Sequence, residues 1–236
     1  MTALGREAPV SEKDACRPEA ALASDRLCFP KAVVDACPAK IVESSPMRDR
    51  FLQDVLANRN NRAILDRWEV LGLPDGWLVA GCLFQTVWNL KSGQLPEAQI
   101  KDYDLFYFDD SDLSSEAEQH VQARVDDLLA DLGIAIETKN QARVHLWYED
   151  VFGHRYPQLH SARDGIDRFL IPATCVGIRR DGPRYDIYAP HGVDMIYSGV
   201  LSPNPLTDHA ELFREKARSY LARWPWLRAD YAAAAD

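Results

Sequence analysis

The sequence predicts an α/β fold of the α+β kind, with a mixed central sheet and flanking helices. Segments whose apolar residues recur at helical spacing alternate with short apolar runs of strand length along most of the chain. The length of 236 residues suits one well-buried domain with appendages. Hydrophobic residues make up 47% and charged residues 27% of the chain, a globular composition that excludes a fibrous or disordered protein.

Composition also narrows the possible functions. The sequence has no run of about 18 apolar residues, so we expect no membrane-spanning helix, and it lacks the basic and apolar segments of a secretory signal. The five cysteines are odd in number and contain no CxxC pair, which indicates reduced thiols and a cytoplasmic location. The net charge of −9 argues against extensive nucleic-acid binding, because that requires a basic face.

We divide the chain into three regions. Residues 1–45 lack an apolar face and predict an N-terminal arm, either mobile or docked on the domain. Residues 46–228 form the predicted domain, and residues 229–236 form a C-terminal tail. The domain begins with one or two amphipathic helices between Phe51 and Leu71.

A glycine and two aspartates stand at the centre of the domain. A short apolar strand over residues 77–80 runs into Gly81, where the next helix begins. The following strand, KDYDLFYFDD, carries Asp102 and Asp104 at its start, and apolar residues on both of its faces predict an internal strand. Side chains alternate along a strand with a period of two, so both carboxylates project from one face, about 6.5 Å apart at Cα.

The next helix and strand add further charged residues. Ser115 is predicted to cap the helix, with Glu118 completing a capping box. The strand over residues 134–139 then carries Glu137 and Lys139 on one face.

The remaining segments complete the sheet and its helical cover. We predict a strand over residues 143–148, a helix over 161–170, and a hairpin with strands over 174–179 and 184–189. Asp208 is expected to cap a last helix. We interpret the basic residues of this helix as a solvated face, with a surface for RNA or a partner as the alternative.

The aspartate pair and the glycine suit phosphoryl-transfer chemistry. Two carboxylates about 5 Å apart repel by roughly 3 kcal/mol at an effective dielectric constant of 20, and a shared divalent cation removes that cost. A glycine at a helix N-terminus lets backbone N–H groups approach phosphate oxygens. From the residues alone, the alternative is a pair of turn aspartates at a strand entrance.

The order of these features resembles the polymerase-beta-type nucleotidyltransferase superfamily. Four strings carry a closer resemblance: AGCLFQTVWN, KDYDLFYFD, NQARVHLWY and YAPHGVD, which begin at Ala80, Lys101, Asn140 and Tyr188. Together they are similar to a small bacterial nucleotidyltransferase-like family related to the head domain of CCA-adding enzymes. The resemblance covers roughly residues 68–224 and implies the mixed sheet of that fold.

The resemblance implies a site for Mg²⁺ or Mn²⁺. Asp102 and Asp104 match the metal-binding pair of the superfamily, which expects a third acid on a later strand. Glu137 fits that third catalytic and metal-binding position best, and Asp186 is the alternative.

The resemblance also implies nucleotide contacts. Gly81 and Cys82 would form the phosphate-facing turn, although Cys82 departs from the superfamily's glycine or serine. Lys139 and Arg143 are candidates for binding phosphate oxygens, or else they neutralise the acidic residues structurally. Gln85 is a candidate for contacting the nucleotide, or else it caps a neighbouring loop.

Two functions follow as hypotheses. The first is a metal-dependent enzyme that moves a nucleotidyl group from a nucleoside triphosphate to an unknown acceptor. The second is a catalytically idle protein on the same fold that binds a nucleotide or a partner and acts as a regulator.

Overall fold

The computed structural model describes residues 45–207 and 209–231. The helices are α1 (Pro46–Ala57), α2 (Arg59–Asp66), α3 (Trp68–Leu71), α4 (Gly81–Lys91), α5 (Ser115–Leu129), α6 (Val144–Phe152), α7 (Ala162–Ile166), α8 (Asp194–Ser198) and α9 (Ala210–Arg223). The strands are β1 (Trp77–Val79), β2 (Asp102–Tyr107), β3 (Ala135–Asn140), β4 (Gly177–Asp181), β5 (Arg184–Tyr188), β6 (Val200–Leu201) and β7 (Arg228–Ala229).

The central sheet is mixed, as predicted. Five of the described strands are ordered β3-β2-β1-β4-β5, and β6 pairs separately with β7. β2 runs parallel to β3, whereas the β1–β2, β1–β4 and β4–β5 pairs are antiparallel. β2 therefore lies inside the sheet, which confirms the internal position expected from its apolar residues.

The two faces of the sheet differ in chemistry. On the reverse face, Tyr103 and Leu105 are buried, and α5 packs there, with Gln122 bonded to the backbone of β3. The opposite face carries Asp104 and Phe106, and we call it the site face. Phe106 stacks on Phe169 with ring centroids 5.5 Å apart. Phe169 therefore covers the part of the site face that follows the aspartates along β2.

Helix α4 begins directly after β1 and is the central helix of the domain. Its residues Cys82, Leu83 and Phe84 are buried, because α1, β2 and α8 pack around it. The prediction of a helix that starts at Gly81 is confirmed.

The predicted strand over residues 143–148 is wrong. These residues form the end of a 3₁₀ turn and the beginning of α6. Asn140 starts this turn by accepting a hydrogen bond of 3.1 Å from the Ala142 N–H. The alternation of polar and apolar side chains after Arg143 imitates a strand, but the local cap at Asn140 favours helical backbone.

The predicted cap of α5 is displaced by one residue. Ser114, and not Ser115, accepts a hydrogen bond of 3.1 Å from the Ala117 N–H. Glu118 is therefore one position beyond the capping-box site, and its carboxylate accepts from the Asn140 N–H at 2.8 Å instead.

Boundaries differ elsewhere. The helix expected over residues 161–170 is shorter, although Ser161 and Asp164 do form a capping box at its start. The first hairpin strand begins at Gly177 rather than residue 174, because residues 172–174 form a 3₁₀ turn. The second strand agrees to within one residue.

Several expectations concern the ends of the domain. The arm over residues 1–45 and the cap at Asp208 lie outside the described residues, except for Ser45. The domain end expected at residue 228 falls inside β7. The two cysteines within the described part, Cys82 and Cys175, are free and buried. No helix of that part combines the length and apolar character needed to cross a membrane.

Candidate active site

Asp102 and Asp104 lie at the start of β2 and project from the site face. Asp102 is exposed and Asp104 is half-buried. In the antiparallel pairing with β1, Asp104 lies opposite Val79, two residues before Gly81. A Cβ built on Gly81 would lie 3.9 Å from Asp104 Oδ2. The sheet register therefore brings the glycine turn directly beside the aspartate pair.

The turn before α4 contains backbone N–H groups that have no acceptor within the helix. Ala80 has a positive φ of 47°, a strained conformation for a non-glycine residue, and its N–H donates to the Val176 carbonyl at 2.9 Å. The N–H groups at Gly81 and Cys82 belong to the first turn, where no residue four positions earlier in the helix can accept from them. This geometry suits an anionic oxygen beside Gly81.

The Cys82 side chain does not face the cleft. It is fully buried, and its thiol points to the Val79 carbonyl oxygen at 3.6 Å. Burial, followed by the charge of Asp104, raises the pKa of the Cys82 thiol well above its usual range. The predicted contact of Cys82 with a nucleotide is therefore not supported for its side chain, and the residue as a whole is 0% exposed.

Negative charge accumulates around Asp104. Burial, and then the charges of Asp102 and Glu137, raise the pKa of the Asp104 carboxyl to about 7, while Lys216 and Lys139 act in the opposite direction. Over residues 45–207 and 209–231, Asp102 and Asp104 form no ion pair and accept no side-chain hydrogen bond. The pair lacks the cationic partner that buried carboxylates usually have.

Glu137 lies next to Asp104. The two are paired in the parallel register of β2 and β3, so they share the site face at the strand spacing of about 4.8 Å. Within the described residues, however, no three His, Cys, Asp or Glu side chains are grouped so that they could hold a metal ion. Mg²⁺ commonly takes one or two protein carboxylates and completes its shell with water and substrate phosphates. The aspartate pair fits such an ion, with Glu137 as nearby charge.

Two other predicted residues join the site. Lys139 follows Glu137 on the same face of β3, and its charge lowers the pKa of Asp104. The Gln85 side chain lies against the glycine turn. A Cβ atom built on Gly81 would be 3.2 Å from Gln85 Nε2.

Arg143 does not lie near Asp102 and Asp104. It lies past the carboxyl end of β3, whereas the aspartates are at the amino end of the parallel strand β2. Its guanidinium pairs with Glu118, and its Nε donates to the Leu113 carbonyl at 2.9 Å. The structure thus gives Arg143 a partner that ties the end of β3 to α5.

Asp186 is also distant from the pair. It lies on β5, three strand positions from β2, or roughly 14 Å at the usual strand spacing. Its carboxylate pairs with Arg179 at 3.1 Å and Arg163 at 3.4 Å. Glu137 is the candidate third acid that shares the neighbourhood of Asp104.

The sequence interpretation missed the contribution of α9. Lys216 and Tyr220 line a cavity of about 230 Å³ that also contains Gly81, Asp102 and Asp104. The basic residues of α9 were expected on a solvated face. Lys216 is exposed, as expected, but it also lines this cavity, whereas Arg223 is half-buried and lines a second cavity. Positions 216, 220 and 223 follow a spacing of four and three, which places them on one helix face. This helical spacing is the signal in the sequence that could have grouped the three residues in one site.

The second cavity adjoins the first. It has a volume of about 450 Å³ and is lined by Gln85, Gln99, Ile100, Lys101, Asp102, Lys216, Ser219, Tyr220 and Arg223. The two cavities share four lining residues, Gln85, Asp102, Lys216 and Tyr220, so they form one cleft between α4, β2 and α9.

A buried polar network joins α4 to β2 behind this cleft. The Cys82 carbonyl accepts from Thr86 Oγ1 at 2.6 Å and from Asn61 Nδ2 at 3.1 Å. Asn58 Nδ2 donates to Thr86 Oγ1 at 3.0 Å and to the Tyr103 hydroxyl at 3.3 Å. These contacts connect the backbone after Gly81 with the residue between the two aspartates.

Comparisons with known proteins agree with this geometry. A family model described as nucleotidyltransferase matches residues 66–229. A solved structure described as revealing a CCA-adding enzyme head domain is 24% identical, with a TM-score of 0.62, covering 77% of this chain and 95% of its own. That likeness concerns the fold. A comparison with curated proteins found no match.

Proposed function

Since the chain belongs to the nucleotidyltransferase family whose model matches residues 66–229, we propose that it transfers a nucleotidyl group from a nucleoside triphosphate. The acceptor is an oxygen nucleophile, and the reaction uses Mg²⁺ or Mn²⁺. The observation that carries the proposal is the position of Asp102 and Asp104 beside the glycine turn at the start of α4. The cytoplasmic location and the lack of extensive nucleic-acid binding stay predictions from composition.

The cation would supply neutralisation of phosphate charge and activation of the attacking oxygen. Asp102 and Asp104 would hold it, and the N–H group of Gly81, which lines the cleft, would bind a phosphate oxygen of the donor. Lys139 would offset the excess negative charge, and Glu137 would complete the acidic set. In the transfer, the acceptor oxygen bonds to the α-phosphorus and releases its proton to water, while the bond to the pyrophosphate leaving group breaks. Most of the protein's contribution is positioning and charge neutralisation.

One observation favours the second candidate function, a catalytically idle regulator that binds a nucleotide or a partner. Cys82, which stands where the superfamily has glycine or serine, is buried with its thiol directed to the Val79 carbonyl oxygen, so this position offers no hydroxyl to a phosphate. A protein with two aspartates in the cleft would still bind a nucleotide with its metal, without completing transfer.

Labelled transfer separates the two functions. The protein is incubated with each labelled nucleoside triphosphate, Mg²⁺, and RNA, protein or metabolite fractions as acceptors. The transferase predicts incorporation that is lost in Asp102→Asn and retained in Asp110→Asn, which changes an exposed aspartate beyond the same strand. Nucleotide binding without incorporation in any fraction would favour the regulator.

A further inference from the structure

The second cavity concentrates positive charge in an acidic chain. Lys101, Lys216 and Arg223 all line it, although the net charge of the chain is −9. In the part of the chain that the structure describes, none of the three has a carboxylate within ion-pair distance. Asp102 is the carboxylate among the residues that line the cavity, so three cations stand against one anion. The excess of positive charge creates a local potential that attracts an anion.

Arg223 is held in place by neutral acceptors. Its Nη1 donates to Gln85 Oε1 at 2.9 Å, and its Nη2 donates to the Gln99 carbonyl at 3.1 Å. The guanidinium also lies 4.0 Å from the ring centroid of Trp224. None of these contacts neutralises the charge, so the group is oriented while remaining available to an anion.

Helix α9, which carries Lys216 and Arg223, is packed against α4. Tyr220 packs edge-on against Phe84 and Trp88, with ring centroids 5.5 Å and 5.3 Å apart. Trp224 Nε1 donates to Asn89 Oδ1 at 2.9 Å, in the core of the domain. Lys216 is two helical turns before Arg223 and lies on the same face. The charged side chains therefore sit on a preorganised surface.

We propose that this cavity binds a phosphate-bearing anion through Lys216 and Arg223, with Lys101 adding charge. Arginine and lysine together suit phosphate oxygens, one by a planar fork and the other as a point charge. The proposal rests on the proposed function, because the cavity shares Asp102 with the site for the donor. The anion is either the polyphosphate end of the donor or a phosphate group on the acceptor.

Calorimetric titration with inorganic tripolyphosphate in a chelator-containing buffer tests the cavity without a nucleotide or a metal. We expect binding by the wild type, weakened at least about tenfold in Lys216→Ala and in Arg223→Gln, since each loses a charged contact. Arg218→Ala is the control, because Arg218 is exposed on the same helix and does not line the cavity. Circular dichroism verifies that each variant is folded.

No binding by the wild type at millimolar tripolyphosphate, or equal affinity in Lys216→Ala, Arg223→Gln and the wild type, would overturn the proposal. Competition then identifies the source of the anion. Displacement of tripolyphosphate by a non-hydrolysable nucleoside triphosphate supports the donor end, and simultaneous binding supports the acceptor. Asp104→Asn separates this proposal from the proposed function, because it removes the metal site while leaving the cations that bind tripolyphosphate.

Discussion

Asn60 Nδ2 donates a 2.8 Å hydrogen bond to the Tyr103 hydroxyl, on the reverse face of the strand that carries the aspartates. Asn58 contacts the same hydroxyl and also Thr86 on α4. Because the neighbours of Tyr103 in the chain are Asp102 and Asp104, this contact fixes the strand that bears both carboxylates relative to the glycine turn.

We expect Tyr103→Phe to destabilise the protein by about 1–3 kcal/mol, because it leaves buried amide donors without their acceptor. Urea denaturation measures the loss. Tyr107→Phe is the matched control, since Tyr107 is buried on the same strand and face, and the part of the structure described gives its hydroxyl no hydrogen bond. Equal losses in the two variants would contradict a specific role for the network.

The raised pKa of Asp104, about 7, predicts a pH-dependent stability for the metal-free protein. Between its unfolded value near 4 and pH 7, the folded state keeps a proton that the unfolded chain has lost. The contribution of Asp104 to the free energy of unfolding is therefore full below pH 4 and decreases as the pH rises to about 7.

Asp104→Asn removes this dependence, so the variant should be the more stable protein above pH 7, with the advantage disappearing near pH 4. Melting temperatures of the wild type and variant across this range, in chelator, provide the measurement. A stability difference that stays constant with pH would show that the Asp104 carboxyl titrates normally.

Gly81→Ala should separate binding from stability. The added Cβ would lie 3.2 Å from Gln85 Nε2 and 3.9 Å from Asp104 Oδ2, in the space where a phosphate would approach. We expect nucleotide affinity to decrease at least about tenfold, which corresponds to 1.4 kcal/mol, whereas stability stays equal or rises by up to about 1 kcal/mol. Calorimetry and thermal melting give the two values, and undiminished affinity would place the phosphate elsewhere.

Arg143→Ala distinguishes the two roles that its sequence position suggests. The guanidinium pairs with Glu118 and bonds to Leu113, so we expect a loss of about 1–3 kcal/mol in stability and unchanged nucleotide affinity. Denaturation and nucleotide titration of the same preparation measure both. Weaker nucleotide binding at unchanged stability would instead support the phosphate contact.

The sequence identified the parts of the site that depend on local patterns. β2 and the start of α4 follow from apolar runs and a glycine at a strand end, and the period of two places Asp102 and Asp104 on one face. Glu137 was chosen as the third acid from the resemblance to the superfamily, with Asp186 as the alternative, and the register of β3 places Glu137 beside Asp104.

The parts that sequence reasoning missed depend on tertiary contacts. Residues after Arg143 alternate like a strand, yet the Asn140 cap directs them into α6. Lys216 and Arg223 lie 112 and 119 residues beyond Asp104 in the sequence. They reach the cleft because Tyr220 and its neighbours dock α9 against α4. The pattern of charges on α9 alone does not predict which element of the fold the helix packs against.

Calorimetric titration of a non-hydrolysable nucleoside triphosphate, with and without Mg²⁺, tests the aspartate site most directly. The wild type and the control Asp110→Asn should bind in a Mg²⁺-dependent manner, whereas Asp104→Asn should lose at least about tenfold in affinity and most of the metal dependence. Binding that does not require Mg²⁺ and is unchanged in Asp104→Asn would contradict a metal-centred nucleotide site.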